Sequence, residues 1–239
     1  MTLLDGARLF LAGARAVREP GMGRYTWPPL LVSAAIVISG LGVAFSRIDD
    51  LVVWVSAQLP GWLDFLTLIL EPLLYLLGML MGAWLFAFVA VLVGSPFLGM
   101  LSAAVERRHG EPSAPAPAGF WAALAGTFAR ELRKLGYHLP RLLAVLLLSL
   151  LPVINTVAPL IWFLFGAWTL AVEFADYPAE NRARPFRETL TLLRQHRAAA
   201  MGYGVCATAA LSIPLVNFLF VPAVCAGGTL LWLRIRDEG

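Results

Sequence analysis

Apolar residues run in long uninterrupted stretches along this chain, and polar residues collect in the gaps between them. Residues 3–17 alternate instead with a helical period. Leu4, Ala7, Phe10, Leu11 and Ala14 share one face, with Asp5, Arg8 and Arg15 elsewhere. A basic amphipathic helix of this kind lies in the headgroup region and serves as an anchor. Glu19-Pro-Gly21-Met-Gly23-Arg24 ends it, so residues 1–24 form a helix and a loop. Residues 27–45 are long enough to cross the hydrocarbon core, with Pro28 and Pro29 at the start, where a missing N–H costs least. Arg47-Ile-Asp49-Asp50 emerges beyond, and residues 50–59 are expected to form a short interfacial helix closed by Pro60-Gly61. Residues 62–101 exceed one crossing. They predict a long helix, kinked near Glu71-Pro72 and bent at Gly94-Ser95-Pro96. Gly78 and Gly82 within it permit close helix approach. Residues 106–119 are polar, then rich in proline and alanine, and predict an exposed loop. Residues 120–137 return to helical period with Arg130, Glu131, Arg133 and Lys134 on the wet face. Residues 185–196 predict a surface helix.

Two further stretches share one pattern. Residues 141–173 are apolar but broken by Pro152-Val-Ile-Asn155-Thr-Val-Ala-Pro159, and residues 198–233 by Pro214-Leu-Val-Asn217-Phe-Leu-Phe-Val-Pro222. Proline removes a donor and stops a helix. Asparagine tolerates the turn that follows, and capping that turn is its commoner duty. The arm 142–151 would reach only about 15 Å, half the hydrocarbon core. Both ends of this stretch are basic, so the chain returns to the side it left. Re-entrant hairpins satisfy both facts, and the alternative of two full crossings satisfies only the charge rule. Broken backbone at membrane depth must line protein or water, and paired breaks point to a solute pathway.

Composition narrows the class. The chain is 59% hydrophobic and 14% charged, against about 25% charged in soluble domains, and its mean hydropathy is +0.77. One membrane domain spanning residues 1–239 is expected, without a cleaved secretory signal. Arg47 alone among the 18 Lys and Arg residues falls between the first two crossings. The positive-inside rule then puts both termini and the joint between hairpins in the cytoplasm. The net charge of +3 is explained by that topology, so no nucleic-acid partner is expected. Cys206 and Cys225 fit a reducing compartment and simple packing. His109, His138 and His196 show no metal-ligand spacing. Nucleotide and zinc-protease motifs are absent, so neither cofactor nor metal is expected and no catalytic constellation is seen.

The run Thr156-Val-Ala-Pro-Leu-Ile-Trp-Phe-Leu-Phe-Gly-Ala-Trp168, then Asp176-Tyr-Pro178-x-x-Asn181 and Pro185-Phe186, resembles the CysZ sulfate permease family. So do Pro20-Gly21, Pro96-Phe97-x-Gly99 and Ile213-Pro-Leu-Val-Asn217. The resemblance covers nearly the whole chain. It implies an all-α integral membrane protein of the bacterial inner membrane. Two full transmembrane helices, two hemi-penetrating hairpins and amphipathic interfacial helices would build it, assembled into homo-oligomers. It also implies sulfate import for cysteine synthesis.

Candidate residues follow from the chemistry of a dianion. Gly21, Gly23 and Arg24 precede the first crossing, where glycine backbone amides and a forked guanidinium can meet an anion. The loop is similar to the family's Gly-x-Arg-Arg sulfate site, with Arg24 at the second arginine and Gly23 replacing the first. The other reading of Arg24 is a positive-inside anchor. Asn155 and Asn217 at the hairpin tips could donate to a passing oxyanion, or cap their own turns. Pro152, Pro159, Pro214 and Pro222 shape those tips. Glu71 is an acid in an apolar helix, where the family usually carries an apolar residue. Gating, pairing or proton coupling are its candidate roles. Glu106 and Arg108 match the family pattern and are expected to form surface ion pairs. A non-transporting scaffold and a channel for another small anion are the alternatives to sulfate transport.

Overall fold

Thr2 opens the first helix. Its hydroxyl accepts the Asp5 amide at 3.3 Å, while the Asp5 carboxylate accepts the Thr2 amide at 2.7 Å, satisfying two donors reciprocally. In the computed structural model, which describes residues 1–58, 67–110, 120–213 and 217–238, this is α1, Leu3–Ala16. The order continues α2 (Gly23–Gln58), α3 (Thr67–Arg108), α4 (Phe120–Ser149), α5 (Pro152–Asn155), α6 (Ala158–Asn181), α7 (Phe186–Gln195), α8 (Arg197–Leu211) and α9 (Asn217–Asp237). No strand occurs among the described residues, so the chain is all-α. Its contacts divide it into two units, Trp27–Phe97 and Met1–Thr26 with Leu98–Gly239.

Several boundaries differ from the sequence pattern. α2 runs unbroken through Arg47-Ile-Asp49-Asp50, where a separate interfacial helix was expected. No glycine or proline stands between Val43 and Gln58, so nothing there removes a helical donor. Pro28 and Pro29 fall in its second turn rather than at its start. α3 carries helix through Pro72 and Pro96. α4 fuses the wet helix 120–137 with the first hairpin arm, passing through Pro140. There the Arg141 guanidinium donates to the Tyr137 carbonyl, beside the donor that proline removes. The returning arm extends past Val172 to Asn181. Among the described residues α6 is the one helix long and apolar enough to cross a membrane. Pro60-Gly61, the loop tip at 111–119 and Pro214 lie outside the described residues.

Within residues 27–97, Gly78 faces Ile48. A Cβ at 78 would stand 2.1 Å from the Ile48 Cδ1, so glycine makes room for that side chain. Leu31, Ile38, Val53, Leu68 and Met81 of this unit are exposed.

The second unit is built around α9. Val224, Cys225, Ala226, Leu231, Trp232 and Ile235 are fully buried. α1 and α6 each pack on α8 and α9, and α8 packs on α9, through small residues. A Cβ on Gly13 would lie 2.2 Å from the Gly227 amide nitrogen, and one on Gly204 would lie 2.0 Å from the Ala167 carbonyl. Such spacing is closed to any side chain. The face of α1 that packs is therefore Gly6, Phe10, Gly13 and Ala16, while Leu4 and Leu11 of the expected apolar face point outward. A hydrophobicity pattern misses the packed face because its contacts are made by glycine backbone. Tyr203 joins the hairpin arms, its hydroxyl donating to the Val224 carbonyl at 2.5 Å. Cys206 and Cys225 are free thiols, and the Cys225 Sγ donates to the Leu98 carbonyl at 3.3 Å.

Candidate functional site

Glycine decides the shape of the loop between α1 and α2. After Ala16 the chain closes turns from Arg18 to the Arg15 carbonyl and from Glu19 to the Ala16 carbonyl. Met22 donates back to the Glu19 carbonyl at 3.2 Å. Gly21, at φ +85°, occupies the left-handed region that side chains rarely adopt. Its neighbour Met22 is buried and plugs the loop onto the protein, while Gly21 stays exposed. Gly23 then begins α2, so the first amides of that helix have no acceptor within it. The dipole of α2 adds partial positive charge at the same place. The side chain of Arg24 lies outside the described residues, although its backbone belongs to that first turn.

Arg108, the last residue of α3, holds this loop. Its guanidinium pairs with the Glu19 carboxylate and also donates to the Pro20 carbonyl. A Cβ at Gly21 would approach the Arg108 Nη2 at 3.7 Å. Gly21 and Arg108, widely separated in sequence, thus meet. As expected, Arg108 makes an exposed ion pair.

Glu106 does not. It is 2% exposed and binds Arg182 Nη1 at 2.7 Å, so it forms a buried pair in place of the expected surface pair. Ser102 Oγ and Asn181 Nδ2 each donate to its carboxylate at 3.3 Å. Asn181 also donates to the Gly99 carbonyl at 3.0 Å, and Thr229 donates to Ser102 Oγ at 3.0 Å. The Arg182 guanidinium lies 5.1 Å from the Trp232 ring centroid. Spacing alone put Glu106 beside Arg108 on a wet surface. The helix instead turns Glu106 inward, toward the end of α6.

Arg130 and Lys134 correct a second expectation, because both are buried rather than on a wet face. Arg130 grips Asp176 with two bonds of 2.6 Å and donates to the Arg184 carbonyl at 2.7 Å. Thr189 donates to Asp176 at 2.9 Å, which ties α7 into the cluster. Lys134 reaches Glu131 at 2.9 Å and Glu173 at 3.0 Å. Burial opposes the charge of both bases, but their carboxylate partners outweigh it and hold both pKa values above the ordinary range. The i,i+4 spacing of Arg130 and Lys134 was the available signal, matched by Glu173 and Asp176 three apart on α6. Asp176, Asn181 and Arg182 were missed as anchors of the fold.

At the first hairpin tip, Pro152 begins the single-turn α5 and Pro159 occupies the first turn of α6. Asn155 was expected to cap this turn. Its side chain is instead exposed, with no hydrogen-bond partner among the described residues, and its backbone amide donates to the Leu151 carbonyl at 2.9 Å. The turn is closed by backbone bonds, leaving the amide spare. Trp162 Nε1 spans the arms to Ser149 Oγ at 3.0 Å. At the second tip Asn217 begins α9 and Pro222 lies buried within that helix. The side chains of Asn217 and Glu71 lie outside the described residues. No His/Cys/Asp/Glu group suited to a metal occurs among the described residues.

Residues 9–222 match the family model described as Sulfate transporter CysZ/Etoposide-induced protein 2.4. The chain belongs to that family. The Sulfate transporter CysZ of Pseudomonas paraeruginosa is 38% identical over 242 residues, covering 100% of this chain and 98% of its own. The Sulfate transporter CysZ of Vibrio cholerae is 35% identical, covering 96% and 93%. That of Pectobacterium atrosepticum is 32% identical, covering 98% and 86%. The resemblance carried by residues 156–186 and by the Pro20-Gly21 loop is thus a family relation over the whole chain.

Proposed function

We propose that this protein is a sulfate transporter of the bacterial inner membrane, passing sulfate into the cytoplasm for cysteine synthesis. Full-length similarity to proteins named sulfate transporter carries this reading. Sulfate is received at Gly21, Gly23 and Arg24. The left-handed turn at Gly21 exposes backbone without a side chain, the first amides of α2 supply donors, and the Arg24 guanidinium supplies charge. Arg108 acts as a positioning residue, since its own charge is engaged by Glu19. Asn155 and Asn217 offer amide donors along the path, with Pro152, Pro159, Pro214 and Pro222 shaping the tips. Two full crossings, two half-depth hairpins and a homo-oligomer form the conduit, with both termini cytoplasmic. Flux follows the sulfate gradient.

The test is uptake of radiolabelled sulfate by liposomes carrying the purified full chain, with sulfite, thiosulfate and molybdate as competitors. Uptake above empty liposomes, reduced by unlabelled sulfate, is expected. Uptake equal to empty liposomes overturns the transport reading in favour of a scaffold. Preferential competition by another oxyanion reassigns the solute.

A further inference from the structure

A cleft of about 620 Å³ opens beside the middle of α4, away from the Gly21 loop. Arg133, Gly136 and Tyr137 of α4 form one wall, and Phe186 and Arg187 of α7 form the other. The size suits a ligand of a few hundred daltons. Its rim is basic. Arg133 and Arg187 are exposed, and among the described residues neither has a carboxylate partner. The nearby acids are already engaged, Glu188 by Arg184 and Glu131 by Lys134. Two more guanidiniums lie against the Tyr137 ring, Arg141 at 3.7 Å and Arg194 at 5.9 Å from its centroid. That ring is fixed from behind, because Trp168 Nε1 donates to its hydroxyl at 2.9 Å and Phe186 meets it edge-on.

The same helix face turns apolar afterwards, since Leu143 and Leu147, seven and eleven residues beyond Gly136, are both exposed. From Arg133 to Leu147, α4 advances about 21 Å, more than the roughly 15 Å depth of one leaflet. A ligand held here meets arginines at one end and leucines along the other. An inorganic anion would use only the first half of that surface.

We propose that this cleft binds an anionic phospholipid, its phosphate held by Arg133 and Arg187 and its acyl chains laid along the leucines of α4. The inference rests on the membrane placement proposed above. Basic pockets at the ends of membrane helices attract acidic headgroups, with each arginine worth about a fivefold gain in affinity. The bound lipid bridges α4 to α7 at the root of the first hairpin.

The experiment is native mass spectrometry of the full chain in neutral detergent, titrated with phosphatidylglycerol or phosphatidylcholine. Wild type should retain phosphatidylglycerol in preference to phosphatidylcholine. Combining Arg133→Gln with Arg187→Gln should weaken phosphatidylglycerol retention more than tenfold, whereas the exposed control Arg8→Gln should retain it fully. Gly136→Phe should displace the lipid by filling the cleft. A Cβ there meets nothing within 4 Å, so the helix accepts the change. Unaltered retention by both the double variant and Gly136→Phe would overturn the site. So would displacement of phosphatidylglycerol by equimolar glycerol phosphate or sulfate, which would assign the cleft to a free anion. Equal retention of the two lipids by wild type removes the site but leaves the membrane placement. Retention of neither removes both.

Discussion

The two hairpins share a sequence pattern and differ in environment. In the first, Leu147 is 64% exposed and Val153 at the tip is 86% exposed. In the second, α9 is the centre of its unit, and Trp232 is fully buried. The difference lies in residue size rather than hydrophobicity. The outgoing arm of the first is a run of leucines, whereas the second carries Gly202, Gly204, Gly227 and Gly228 among alanines. Leucine covers surface in any apolar solvent. Glycine and alanine let backbones approach within a bundle, which is where helix association in lipid finds its contacts. The second hairpin is thus a spine, and α1, docked on it, suspends the Gly21 loop. The returning arm of the first, α6, packs on α8 and α9, whereas its outgoing arm is tied at the root by the Asp176 cluster and leaves its leucines available to lipid or to another copy.

That contrast makes the root of the first hairpin its most sensitive point. Asp176→Ala leaves Arg130 and Lys134 buried without their shared partner. Breaking a buried ion pair from one side costs about 3–5 kcal/mol. Thermal unfolding of the purified variant should show that loss, and a change within 0.5 kcal/mol would show that the cluster does not hold the hairpin. Next comes Gly228→Val in the second. A Cβ there would fall 2.6 Å from the Phe174 backbone, which cannot yield as a side chain can. Overpacking of this kind costs about 1–3 kcal/mol. Leu147→Ala in the first hairpin is the counterpart and should be near neutral. Similar losses for the two would erase the distinction between spine and exposed arm.

Much of the architecture was legible in the chain. The helical class follows from long apolar runs, and the breaks follow from paired prolines and asparagines. Gly21 was visible because it stands between an amphipathic helix and an apolar run. What escaped was pairing across distance. Nothing local to Glu106 says that it turns toward Arg182, nor that Arg130 meets Asp176 46 residues away. A periodicity reading assigns charged positions to water unless a buried partner is known. The packed face of α1 escaped for the opposite reason, since glycine leaves no hydrophobic mark. Proline also proved a weaker boundary than its propensity suggests. α4 passes Pro140 without a break.

Because α1 carries the loop, the spine and not the first hairpin should set sulfate affinity. Gly21→Val forces a branched side chain into φ +85°, a strain of roughly 1–2 kcal/mol or more. If the anion needs the native turn, sulfate binding measured by calorimetry should weaken about tenfold, and Arg108→Gln should weaken it less. Leu147→Ala should leave it unchanged. Equal affinity for Gly21→Val and wild type would move the anion site elsewhere.

The smallest effect separates the hairpins by pH. His138 stands just before the first hairpin, half-buried, with no hydrogen-bond partner for either ring nitrogen among the described residues. Burial, reinforced by Arg141 and Lys134 and opposed by Glu131, lowers its pKa below the usual 6.5. The unfolded chain therefore takes up a proton that the folded chain resists. His138 contributes fully above pH 6.5, and its contribution declines as pH falls from there toward the lowered value. His196 stands just before the second hairpin in the same way, but its ring nitrogens are not buried without partners as those of His138 are. Hydrogen exchange followed region by region should accelerate in α4 and α6 on going from pH 7.5 to 5.5, after correction for intrinsic rates, before it does in α8 and α9. In His138→Phe this early loosening should disappear. Persistence of the effect in that variant would place the sensitive group elsewhere in the root, and simultaneous loosening of both hairpins would make them a single cooperative unit.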